Sequence, residues 1–257
     1  MSWTGGVFGS AECVLAPNPN VMTLDGTNTW VLRSGERSIV VDPGPPDAGH
    51  LAAVAAAAGS VEVVLLTHHH LDHSESAREF AATMGCGVRA LDPAYRLGSE
   101  GLGAGDVVAV GDLEVHVVAT PGHTADSLSF VVPSEQAVLT GDTVLGRGTT
   151  VVAHPDGQLG AYLSSLDRLR DLAESAEVTS IWPGHGPVID DAMTVLDYYI
   201  AHRRERLAQV RDAVAVLGPT ATARQVVQLV YADVSPILWG AAELSVHAQL
   251  AYLQSAE

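Results

Sequence analysis

The chain has 257 residues, 47% of them hydrophobic, which is enough for one large domain or a domain with a small appendage and too many for wholesale disorder. Thirty acidic residues stand against thirteen arginines and no lysine, a net charge of −17. That balance argues against tight, non-specific nucleic-acid binding and excludes Schiff-base chemistry through lysine.

Two cysteines, Cys13 and Cys86, cannot form a disulfide framework. The N-terminus lacks a signal-peptide pattern, and no apolar run reaches membrane-spanning length. A cytoplasmic protein without a membrane partner is therefore expected. The charge is uneven: residues 1–200 hold 25 acids and 8 arginines, whereas residues 201–257 hold five of each. The chain is accordingly divided into a main domain, 1–200, and a helical C-terminal unit, 201–257.

In chain order, Ala16-Pro17-Asn18-Pro19-Asn20 reads as a loop, followed by strands over 28–33 and 38–42 and a turn at Pro43-Gly44-Pro45-Pro46. An alanine-rich helix over 50–58 stops at Gly59. The apolar, β-branched run 61–66 is a buried strand, and a helix over 74–84 with Ser74 as its N-cap follows. Further strands fall at 87–91, 107–110, 113–119, 127–132 and 137–140. Residues 141–157 are glycine-rich and irregular, 162–172 carry helical spacing, and 178–182 form a short strand. From Asp190 the pattern is helical only: one helix through Leu217, a second capped by Thr220 and running through Val230, and a third from about Ala241 to Tyr252.

Between the strand at 61–66 and the next helix lies Thr67-His68-His69-His70-Leu71-Asp72-His73. Imidazole and carboxylate are donors that borderline divalent metals prefer, and four of them at HxHxDH spacing make a strong metal signal. His69 points away if its neighbours bind. His123, Asp142 and His185 each sit in a glycine-containing turn just after a strand, the position that would converge on the same loop. His50, His116, His154 and His247 have no supporting spacing. His202 and Arg203 either reach the cleft or share an exposed helix face with Arg204 and Arg206.

The set THHHLDH, PGHT, GDT and PGHG, which together with Asp42 spans residues 42–185, resembles the metallo-β-lactamase superfamily. The stretches 22–29, 141–150, 183–189 and 198–203 are similar, more closely, to its β-lactamase-like protein 2 group. The resemblance implies an α+β fold, an αββα sandwich of two sheets covered by helices. A small winged-helix-like helical unit would follow, with no β wing expected before residue 257. It implies that His68, His70 and His123 hold one zinc and that Asp72, His73 and His185 hold a second, with Asp142 bridging. Asp42 would support the loop from behind. Iron or manganese would also suit such nitrogen and oxygen donors.

Two metals can share a hydroxide made at neutral pH, and Asp72 would orient it as well as bind metal. The expected activity is hydrolysis of a small ester, thioester or lactone. Members of the group include an endoribonuclease of single-stranded RNA and, more distantly, acyl-carrier thioesterases, so phosphodiester cleavage is the competing reading. The charge disfavours RNA as a partner. A metal-bearing scaffold without turnover is the third reading. Asn28, Thr149, Thr150 and His202 are expected as substrate neighbours.

Overall fold

A period of two runs through the central strands and decides the layering. Trp30 and Leu32, Ile39 and Val41, Phe130 and Val132, and Ala137 and Leu139 all face one central core. Their alternates Val31 and Val40 pack outward on one side, and Val131 and Val138 on the other. All are buried, because both faces of each sheet are covered.

The computed structural model describes residues 2–218 and 220–255. The first sheet holds β1 (Gly6–Phe8), β2 (Ala11–Leu15), β3 (Asn28–Ser34), β4 (Arg37–Val41), β5 (Ser60–Leu65) and β6 (Gly87–Arg89), paired in that order. β1 to β4 are antiparallel, and β4, β5 and β6 run parallel. The second sheet has the order β11-β10-β9-β8-β7, from β7 (Val107–Val110), β8 (Leu113–Ala119), β9 (Leu128–Val132), β10 (Ala137–Gly141) and β11 (Ser180–Pro183). β10 and β11 are parallel, so β8, β10 and β11 share one direction. The two sheets face each other across a core in which Trp30 and Trp182 stack at 5.0 Å between ring centroids.

Helices α1 (Ala48–Ala58) and α3 (Ala77–Met84) cover the first sheet through Val54, Phe80 and Ala81. On the second sheet lie α4 (Leu159–Glu174) and the first half of α5 (Ala192–Leu217), through Tyr162, Leu166, Leu196 and Tyr199. The layers are α, β, β, α, as expected. The second half of α5 joins α6 (Ala223–Val230) and α7 (Trp239–Ser255) around Val210, Val226, Val227 and Val246. The division expected between residues 200 and 201 falls inside α5, which belongs to both cores. No strand follows β11 among the described residues, and no described helix is long and apolar enough to cross a membrane.

Local expectations needed adjustment at three places. Ser74 does not cap a helix: its hydroxyl donates to the His69 carbonyl at 2.8 Å and ends a single turn, α2 (Leu71–Ser74), before α3 starts after Ser76. Thr222, not Thr220, caps α6, in a reciprocal box with Gln225. The β1–β2 hairpin was not legible, because three residues starting with glycine carry no period.

Candidate metal centre

The strands that share a direction end at one rim of the sandwich. β4 ends at Asp42, β5 at the His68–His73 loop, β8 at His123, β10 at Asp142 and β11 at His185. Asp72 and His185, 113 positions apart in sequence, thereby meet. His70 Nδ1 lies 3.1 Å from His68 Nε2 and 3.0 Å from His123 Nε2. His73 Nε2 is 3.3 Å from His185 Nε2, and Asp72 Oδ2 is 3.3 Å from the first and 3.1 Å from the second. Asp142 faces both groups: Oδ1 is 3.4 Å from His73 and His185, and Oδ2 is 3.6 Å from His123. Three sets could each hold a metal ion: His68, His70 and His123; His68, His73 and Asp142; Asp72, His73 and His185.

The outer ring nitrogens decide which atoms face inward. Thr67 donates its N–H to Asp42 Oδ1 at 2.8 Å and its O–H to Oδ2 at 2.6 Å. Its oxygen must then accept from His68 Nδ1–H, 3.0 Å away, which leaves the His68 Nε2 lone pair pointing into the cluster. His73 donates through Nδ1 to Asp42 at 2.9 Å, His123 to the Val151 carbonyl at 2.8 Å and His185 to the Gly26 carbonyl at 3.2 Å. Four of the five rings thus present Nε2 inward, and such fixing of the far nitrogen accompanies metal ligation. Inward lone pairs at 3.0–3.3 Å from one another repel unless a cation or proton lies between them. Asp142 Oδ1 is buried without a hydrogen-bond partner. The donor set fits divalent cations.

Protonation follows the same division. Burial, then neighbouring histidine charge, keeps His68 well below its usual value and His70 at about 4. Burial likewise lowers His123. On the other side burial also opposes charge, but carboxylates outweigh it. Asp72, Asp142 and Asp42 raise His73, and Asp142 and Asp72 raise His185 to about 9. Burial pushes Asp72 and Asp142 upward, and the facing histidines overcome it and hold both carboxyls low.

Close approach is needed at Gly184, where a Cβ would come within 2.7 Å of Asp142 Oδ1 and 2.8 Å of His73 Cε1. Any side chain there would displace the cluster.

A family model described as the metallo-beta-lactamase superfamily matches residues 22–185, and one described as the beta-lactamase associated winged helix domain matches 222–257. The chain belongs to the metallo-β-lactamase superfamily. It is 36% identical over 240 residues to the Beta-lactamase-like protein 2 homolog of Caenorhabditis elegans, covering 86% of this chain and 76% of that one. It is 33% identical over 205 residues to the Atrochrysone carboxyl ACP thioesterase of Aspergillus fumigatus, covering 77% of this chain and 62% of the relative. A crystal structure of a metallo-beta-lactamase family protein from Thermus thermophilus shares the fold at TM-score 0.80 and 21% identity, covering 97% of this chain and 94% of that one. Members of this superfamily are generally hydrolases that bind divalent metals.

In this metallo-β-lactamase fold the cluster opens into a cavity of about 730 Å³. One wall is apolar, with Val21, Met22, Leu24 and Leu71. Another part of the lining comes from α5 and α7 and includes His202, Arg203 and Arg206. Of the expected substrate neighbours, Thr149, Thr150 and His202 line this cavity. Burial, then the adjacent Arg203 and Arg206, lowers the His202 pKa. Thr150 is also a strut, since its hydroxyl donates to the Asp142 carbonyl at 2.5 Å.

Asn28 does not line the cavity. It is fully buried, donating to the Pro183 and Gly186 carbonyls at 2.9 and 2.8 Å and accepting from Trp3 Nε1 at 2.8 Å. Its amide is spent on holding the His185 turn. His69 turns away from the cluster to Asp126, 2.8 Å from Nδ1. Sequence reasoning gave no role to Thr67 or Asp126, and it considered Arg206 only as part of an exposed helix face. Thr67 could have been found from its place directly before the histidine run, whereas Arg206 carries no local signal.

Proposed function

We propose that the chain is a metal-dependent hydrolase of small acyl substrates, esters or thioesters above all, working with two zinc ions, or iron or manganese in their place. The observation that carries this reading is the cavity. At about 730 Å³ it is of small-molecule size, and it joins the donor cluster to an apolar wall suited to an acyl chain. The similarity to a fungal thioesterase supports the same class.

His68, His70 and His123 would hold one cation, Asp72, His73 and His185 the other, and Asp142 both. Bound there, the pair would supply an acidified water and a Lewis acid for the carbonyl oxygen. The chain's own groups do the rest. Asp42, Thr67, Val151 and Gly26 fix the histidine tautomers. Asp72 is the more open of the two carboxylates, 29% exposed against 13% for Asp142. Its Oδ2 faces Thr27, His73 and His185, which leaves Oδ1 to orient the attacking water. The apolar wall of Val21, Met22 and Leu24 shields the acyl chain from bulk water.

The test pairs metal analysis with thioester, ester and lactone panels and a single-stranded RNA substrate, with Asp142→Ala as the blank. Metal-dependent acyl hydrolysis lost in the variant is expected. Cleavage of RNA by fully loaded protein that leaves every acyl substrate intact would overturn the proposal.

A further inference from the structure

Arg203 is 7% exposed and has no carboxylate partner among the described residues, in a chain with thirty acids. Its Nη2 donates to the Thr150 carbonyl, and its guanidinium lies 5.0 Å from the centre of the Tyr162 ring. Those contacts account for one nitrogen and one face. Nε is buried with no partner, and Nη1 donates to no described residue.

Three residues along α5, Arg206 also lines the cavity, without a carboxylate partner among the described residues. One of its nitrogens, Nη1, is held by Gln209 Oε1 and the Val230 carbonyl, each at 3.0 Å, and the guanidinium sits 4.7 Å from the centre of the Tyr231 ring. By contrast Arg204, between them, points away toward Asp167 at 3.8 Å. A nearly buried, unneutralised guanidinium is costly. Arg203, with the half-buried Arg206 beside it in the lining of the same cavity, makes a preformed site for an oxyanion, with the fork geometry that carboxylate and phosphate accept. The wall is close to the donor cluster, because Thr150 contacts Arg203 through its carbonyl and the Asp142 backbone through its hydroxyl. The carboxylates lining the same cavity, Asp72 and Asp142, both belong to the donor cluster.

We propose that Arg203 and Arg206 form a specificity subsite that binds a terminal oxyanion, carboxylate or phosphate, of the substrate. This rests on the acyl-hydrolase reading above and narrows it: the acyl compound carries a second, anionic end that the C-terminal unit recognises. The helical unit is then part of the substrate site and selects the substrate, while the sandwich supplies the donors.

The test uses the metal-loaded protein and two matched thioesters of N-acetylcysteamine, butyryl and glutaryl, the second bearing a free carboxylate. The wild type should favour the glutaryl compound at least tenfold in kcat/KM, mainly through KM. Arg206→Gln and the milder Arg203→Lys should each bring the ratio toward one. Arg204→Gln removes the same charge from the same helix and should leave the ratio intact.

Binding of glutarate and of inorganic phosphate, read by calorimetry, keeps the subsite testable if no thioester is turned over. At least tenfold weaker binding of either ion in Arg206→Gln supports the subsite and shows which oxyanion it prefers. Such binding without any acyl turnover would discard the proposed activity and keep the subsite. A wild-type ratio near one, together with equal binding of both ions by wild type and variants, would overturn the subsite.

Discussion

Asn28→Ala separates a structural clamp from a substrate contact. The side chain is fully buried and makes three hydrogen bonds, to Pro183, Gly186 and Trp3. Its removal strands those partners unequally. The Pro183 carbonyl keeps the Trp30 indole at 3.1 Å, and the Trp3 indole is half-buried and can turn to water. The Gly186 carbonyl has no such substitute. One fully stranded group at about 1–3 kcal/mol, a smaller share for the other two, and a small cavity bring the loss to about 2–4 kcal/mol.

The loss is also local to the metal centre. The Asn28 N–H donates to the Gly184 carbonyl at 2.8 Å, and Thr27 pairs with His185, so the His185 turn loosens and the cation that it would share with Asp72 and His73 binds less tightly. Urea unfolding measures the first effect and metal content after dialysis the second. Asn28→Asp should be worse than alanine, since a carboxylate oxygen would face two carbonyls. Unfolding within about 0.5 kcal/mol of wild type, the range of neutral substitutions, combined with full metal content and a raised KM, would refute the clamp and restore Asn28 as a substrate contact.

Two further outcomes follow from the same structure. Thr67→Val keeps the β-branched shape but removes the oxygen that orients His68, so metal affinity should fall about 10–100-fold with little change in fold; competition against a chelator reads it. His50 is buried and its pKa lies below 6.5, with burial the main cause. The unfolded chain, near 6.5, therefore takes up a proton first as pH falls, and stability present above that value is lost as the pH drops toward the folded pKa. Urea midpoints at pH 7.5 and 5.5 should show a larger acid loss in wild type than in His50→Gln, and equal losses would remove His50 from the account.

What could be read from the sequence was what repeats. His68, His123, Asp142 and His185 each follow a strand and a turn, and that recurrence locates the donors because parallel strands end at one rim. Asn28 has the same polar look at a strand start, and only burial separates it from a pocket group. Arg203 could be named but not placed, because an exposed face and a cavity wall have the same helical spacing. Its meaning depends on Thr150 and Tyr162, 53 and 41 positions away, and on a helix shared by two cores. The charge of −17 argued against RNA as a partner, and over long distances it repels any anion. That repulsion is screened within about 10 Å at ordinary salt, whereas a desolvated guanidinium acts at contact distance, where screening is weak. A chain that is acidic outside can therefore still select an anion inside, provided that the arginines are kept from the chain's own carboxylates, and Arg203 and Arg206 are so kept among the described residues.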